Sequence, residues 1–130
     1  MNSSKRLSGP SFLKHKNPKK LIILLHGYGD NGDNFIHLAN SLDQFDLKAN
    51  YIAFNAPFSV PNYSQGKQWF DLYPNGTYIA DAGIEESKMI RAEILNALEL
   101  LRNSIHFAKD KYNLLYKDCF LLGFSRGGMI

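Results

Sequence analysis

Cys119-Phe120-Leu121-Leu122-Gly123-Phe124-Ser125-Arg126-Gly127-Gly128 carries a short apolar run straight into a Gly-x-Ser-x-Gly turn, and that order fixes the class of fold. A continuous apolar run of this length suits a strand covered on both faces, as in a parallel sheet. The turn that follows has a chemical reason for its spacing. A nucleophilic Ser125 must sit on a sharp strand-to-helix turn in a strained backbone conformation, with its Oγ projecting above the sheet. Side chains at 123 and 127 would collide as strand and helix close together, so both positions are Gly. The plainer alternative is an ordinary serine in a glycine-rich turn. Placement directly after an apolar strand argues against it.

Working outward, residues 21–25 (Leu-Ile-Ile-Leu-Leu) form a second apolar run, closed by His26 and Gly27. Gly27, Gly29 and Gly32 then spell Gly-x-Gly-x-x-Gly between a strand and a helix, the placement of a dinucleotide-binding turn. A pyrophosphate needs bare backbone N–H groups and no negative charge nearby. Here Asp30 and Asp33 lie at that turn, and Asn55 stands where the ribose-binding acid would be. A dinucleotide-binding domain is therefore a distant alternative. The two glycine motifs make better sense together. Acyl transfer through a serine needs backbone N–H donors for the oxyanion. One comes from the residue after the nucleophile, Arg126, and the other from the loop 26–29. Glycines at 27 and 29 let that loop approach a substrate oxygen closely.

The rest of the chain fits the same plan. Phe35, Leu38, Ala39 and Leu42 recur at helical spacing and predict one helix, capped by Asp30, Asn31 or Asp33. Residues 51–54 predict a strand ended by Asn55-Ala56-Pro57. Residues 56–82 form a long connection rich in Pro, Asn, Gly and aromatics, of the kind that carries function or local structure. A helix is predicted over 84–107, with Asp81 as cap, Glu85 and Glu86 in its first turn, and a stripe of Ile90, Ile94, Leu98, Leu101 and Ile105. Glu86, Arg91, Glu93 and Arg102 are expected to face elsewhere. A short edge strand is expected around Phe12 and Leu13. Strand, helix, strand, helix, strand, turn describes an α/β fold: a parallel sheet with flanking helices. Residues 1–19 form a basic N-terminal segment, and 20–130 belong to a single domain.

Taken in order, Leu24-Leu25-His26-Gly27-Tyr28-Gly29-Asp30, Asn55-Ala56-Pro57, Trp69-Phe70-Asp71, Gly83-Ile84-Glu85 and Gly123-Phe124-Ser125-Arg126-Gly127-Gly128 resemble the phospholipase/carboxylesterase group of α/β-hydrolases, which includes the acyl-protein thioesterases. The resemblance covers residues 20–130. It implies an α/β-hydrolase fold and hydrolysis of a small carboxylic ester, thioester or lipid substrate through an acyl-serine intermediate, without a cofactor or metal. Ser125 would be the nucleophile, and the Tyr28 and Arg126 amides the oxyanion hole. His26, Gly27, Gly29, Gly123, Gly127 and Gly128 would shape the site. Family members usually carry Gln at the position of Arg126, a change that leaves the backbone amide in place.

The family's triad continues with an Asp and a His downstream of the nucleophile. This sequence has five residues after Ser125 and neither group among them. His15, His37 and His106 are expected to be surface or packing residues, and His26 structural. Without a base, Ser125 is a weak nucleophile. The chain is thus expected to be a hydrolase portion truncated after its nucleophile turn and inactive as it stands. The alternatives are a non-catalytic remnant or interaction fragment, and one half of a site completed by a complementary C-terminal chain.

Composition excludes little. The 130 residues are 45% apolar and 21% charged with a net charge of +3. The excess lies in Lys14, Lys16, Lys19 and Lys20, with no aromatic-interleaved basic motif to suggest nucleic acid. The apolar runs are too short for a membrane span or a signal peptide, so a cytoplasmic protein is expected. Cys119 is the only cysteine, which rules out an intrachain disulfide, and a buried, inert thiol is expected.

Overall fold

A computed structural model describes residues 5–124. At its centre is β2 (Lys20–Leu25), whose side chains from Leu21 to Leu25 are all buried. Each such side chain contributes about 2 kcal/mol on burial. The five together far exceed the ~1 kcal/mol span of strand propensities. Burial on both faces therefore makes this the central strand. β2 pairs in parallel with β3 (Ala49–Phe54) on one side and with β6 (Cys119–Gly123) on the other. β1 (Ser11–Phe12) adds an antiparallel edge against β3, giving the order β1-β3-β2-β6.

Alternate residues of β2 serve two cores. Leu21, Ile23 and Leu25 pack with Ile52, Phe54, Trp69 and Phe70 beneath the helix α3 (Ile84–Lys111). Ile22 and Leu24 pack with Ala39, Ala49, Tyr51 and Ala53 on the opposite face. That face is covered by α1 (Gly32–Phe35) and α2 (Leu38–Asp43).

The single helix expected over 35–42 is in fact two. Ile36 and His37 keep helical dihedrals, but their turn tightens: Ala39 N–H donates to the Ile36 carbonyl and Asn40 N–H to the His37 carbonyl. Three-residue bonding rotates the buried face, which brings Ile36 to the core beside Phe35, Leu38 and Leu42. Asn31, one of the three caps expected, accepts a hydrogen bond from Asn34 N–H at 2.9 Å.

α3 runs four residues past its expected end. Its last turn is closed by Leu114 N–H on the Lys109 carbonyl, with Asn113 in the left-handed region at φ 60°. Asp81 is not its cap. It lies in a preceding turn, and the Glu86 carboxylate accepts from Gly83 N–H at the helix start instead. The buried face is Ile90, Ala97, Leu101, Ser104 and Ala108, so Leu98 yields its expected place to smaller neighbours that let the helix sit close to the sheet. Glu93 also departs from expectation. It turns inward, and its carboxylate accepts from Asp71 N–H at 2.9 Å.

Residues 5–19 are strapped to α3 and to the sheet by polar groups. Leu7 N–H donates to Ser104 Oγ, and Lys14 and His15 N–H both donate to the buried Asn50 side chain. Cys119 is half-buried on the edge strand, and burial pushes its thiol pKa up, away from the reactive thiolate. Among the described residues, β6 has a neighbour on one side only. Leu121 stays 55% exposed and Phe124 67%.

Candidate active site

The parallel register sets the site. Leu25 pairs with Gly123, and Phe124 N–H donates to the Leu25 carbonyl at 3.1 Å. The loop that begins at His26 and the chain that continues from Phe124 therefore leave adjacent strand ends. Tyr28 follows Leu25 by three residues, as Arg126 follows Gly123. Ser125, Arg126, Gly127 and Gly128 lie outside the described residues.

His26 organises the loop. It is fully buried, and both of its ring nitrogens are engaged. Ala56 N–H donates to Nε2 at 3.0 Å, so Nδ1 carries the proton and donates to the Gly27 carbonyl at 2.7 Å. The Trp69 indole N–H donates to the His26 carbonyl at 2.8 Å, and the two rings lie 5.4 Å apart. One side chain thus ties His26-Gly27, Asn55-Ala56-Pro57 and Trp69-Phe70-Asp71 together. These blocks are up to 45 residues apart in the sequence, and each is needed where it stands. Burial lowers the His26 pKa, against smaller upward effects of the Gly27 carbonyl and Asp30. The imidazole is neutral at pH 7 and committed to its two partners, which removes it as a general base.

A second fastening lies in the long connection. Within the connection 56–82, β4 (Phe58–Val60) and β5 (Tyr63–Gln68) form a hairpin turned at Asn62, where φ is 63°. The hairpin holds the loop. Gly29 N–H donates to the Lys67 carbonyl at 2.9 Å, Lys67 N–H to the Asp30 carbonyl at 2.9 Å, and the Asn31 amide to the Gln65 carbonyl at 3.1 Å. A Cβ at Gly66 would stand 2.9 Å from the Gly29 carbonyl oxygen, so glycine there is what permits the approach. The Pro61-Asn62 pair is the turn signal in the sequence that marks this hairpin.

The dinucleotide alternative fails on the same geometry. Gly32 N–H is taken by the Asn55 side chain at 2.7 Å and Asn34 N–H by Asn31, so side-chain oxygens fill the helix start where phosphates would bind. α1 itself is only four residues long. The other histidines have no hydrogen bond to the loop at 26–31 among the described residues. His15 precedes β2, His37 is exposed at the α1–α2 turn, and His106 lies in the last turns of α3 beside Tyr116 and Asp110. Among the described residues no group of His, Cys, Asp and Glu is placed to hold a metal ion, and no helix is long and apolar enough to cross a membrane.

Comparison with known proteins agrees with this arrangement. The chain is 29% identical over 118 residues to acyl-protein thioesterase 1 of Candida albicans, covering 86% of the chain and 48% of that protein. It superposes on the crystal structure of esterase PE8 with a TM-score of 0.75 at 28% identity, covering 95% of the chain and 54% of PE8. The chain thus spans about half the length of the relatives it matches. The family described as Phospholipase/Carboxylesterase matches residues 12–130. With its α/β-hydrolase sheet and the loop that His26 fastens beside the end of β6, the chain belongs to that family.

Proposed function

We propose that these residues supply the nucleophile and oxyanion-binding half of a serine hydrolase acting on carboxylic esters or thioesters. Ser125 attacks the acyl carbon, and the backbone N–H groups of Tyr28 and Arg126 receive the developing oxyanion. The observation that carries this reading is the Leu25–Gly123 register. It starts the loop of Tyr28 and the segment leading to Ser125 from neighbouring strand ends, which supports two donors near one point. Gly27 and Gly29 shape the loop, and Gly123, Gly127 and Gly128 shape the turn.

The base and its orienting acid are to be sought in the half of the relatives that these 130 residues do not span. The four histidines present do not replace them: His26 is committed, His15 and His106 lie toward the opposite end of the sheet, and His37 is exposed at the α1–α2 turn. Residues 1–130 alone therefore hydrolyse esters little above background, since loss of triad members leaves only oxyanion binding. A complementary chain bearing the Asp and His would pair against the open side of β6. The natural substrate is a small ester, thioester or lipid, and the place of action is the cytoplasm.

The test is turnover of p-nitrophenyl butyrate by the protein carrying residues 1–130 together with the Asp- and His-bearing half. Ser125→Ala should abolish it. Turnover that survives this substitution would place the nucleophile elsewhere.

A further inference from the structure

At the other end of the sheet, α3 and the turn after it build a relay that the proposed hydrolase site does not use. Tyr116 lies just before β6, about 16 Å of strand away from Gly123. Its phenol Oη is 2.7 Å from His106 Nδ1, and His106 Nε2 is 3.2 Å from the Asp110 carboxylate. A carboxylate accepts only, so Nε2 carries the ring proton and Nδ1 is left to accept from the Tyr116 hydroxyl. Lys109 holds the other Asp110 oxygen at 2.6 Å, and its ammonium lies 4.7 Å from the centre of the Tyr116 ring. The hydroxyl thus has a positioned proton acceptor, an acid that fixes the tautomer of that acceptor, and a positive charge near the ring.

We propose that Tyr116 is a second acyl-accepting nucleophile, selective for activated acyl donors such as aryl esters, with His106 as its base and Asp110 as a positioning residue. Tyr116 Oη bonds to the acyl carbon while its proton passes to His106 Nδ1. The bond from that carbon to the aryloxide oxygen breaks. The aryloxide takes the proton from His106, leaving O-acyl tyrosine and a free phenol. The reaction is independent of Ser125 and leaves the acyl group on Tyr116.

Exposure supplies the control. Tyr116 is 56% exposed, Tyr73 53% and Tyr63 50%, so accessibility alone predicts equal labelling of the three. The chain bearing Ser125→Ala, which silences the proposed hydrolase nucleophile, is treated with p-nitrophenyl acetate, and acetyl groups are located by fragmentation of tryptic peptides. Tyr116 should be acetylated at least about tenfold faster than Tyr63 or Tyr73, a modest share of what a positioned base can contribute. His106→Gln should bring Tyr116 down to their rate. Asp110→Asn should shift the His106 ring 15N signals away from the Nε2–H tautomer and slow acetylation with the label still at Tyr116. Equal labelling of the three tyrosines, or a Tyr116 preference that survives His106→Gln, would overturn the proposal. The His106 and Asp110 side chains are exposed, so these two substitutions keep the fold.

Discussion

His26→Phe isolates what the buried imidazole does. Phenylalanine keeps a planar ring against Trp69 but can neither accept from Ala56 N–H nor donate to the Gly27 carbonyl. The Ala56 N–H is left buried and unsatisfied, at a cost of about 1–3 kcal/mol. Loss of the Gly27 bond adds about 1 kcal/mol. The sum, about 2–4 kcal/mol, is large for a domain of this size, which holds on the order of 5–15 kcal/mol in all. Trp69 is the only tryptophan, fully buried against this ring, so its fluorescence during urea unfolding reports the change directly. Amide hydrogen exchange adds a local reading: Ala56 should lose protection while Ile23 and Ile52 in the paired strands keep theirs. A stability loss under about 1 kcal/mol, with Ala56 still protected, would refute the assignment of His26 as the clasp.

The same residue gives the chain a pH dependence. The His26 pKa is depressed in the folded state from its ordinary 6.5, so below that value the unfolded chain binds a proton that the folded chain refuses. Stability should therefore be intact above pH 6.5 and fall by up to about 1.4 kcal/mol per unit below it, and His26→Phe should flatten that slope in urea titrations. Gly66→Ala should push β5 from the loop, at about 1–3 kcal/mol, and expose the Gly29 and Lys67 amides to exchange. Unchanged exchange there would show that the hairpin does not hold the loop. The open side of β6 should make the 130-residue chain bind ANS and self-associate at modest concentration, and Leu121→Lys should suppress the association. A chain that stays monomeric and dark with ANS would mean that this edge is covered.

Much of the fold was legible because burial leaves a mark on composition. The five-residue apolar run of β2 announced a strand covered on both faces, and the 3.6-residue stripe announced α3. The misreadings have local causes. The break at Ile36 keeps helical dihedrals, so hydrophobic spacing could not show it. α3 ran past its expected end because its stop lies in Asn113, a residue able to take the left-handed conformation, and not in the last apolar position. The β4–β5 hairpin escaped because Phe58-Ser59-Val60 is too short an alternation to read and residues 63–68 give none, although Pro61-Asn62 marked its turn.

The loop at 26–30 was legible as a motif and illegible as a network. Sequence named His26 as structural but could not show that one imidazole serves Ala56 and Gly27 while its carbonyl holds Trp69. Those contacts span up to 43 residues and depend on a tautomer. Glu93 lies off the apolar stripe in sequence, yet a backbone N–H at Asp71 gives its carboxylate reason enough to turn inward.

The central claim, an acyl-serine at 125, is tested most directly by trapping it. The protein carrying residues 1–130 with the Asp- and His-bearing half is mixed with an excess of a butyryl ester, quenched in acid within the first turnovers and digested with trypsin. Cleavage at Lys117 and Arg126 releases Ser125 in the peptide 118–126, separate from Tyr116. The account predicts a butyryl group on Ser125 in that peptide, absent from Ser125→Ala. Turnover with no acyl group on this peptide, or with the acyl group on another residue, would contradict it.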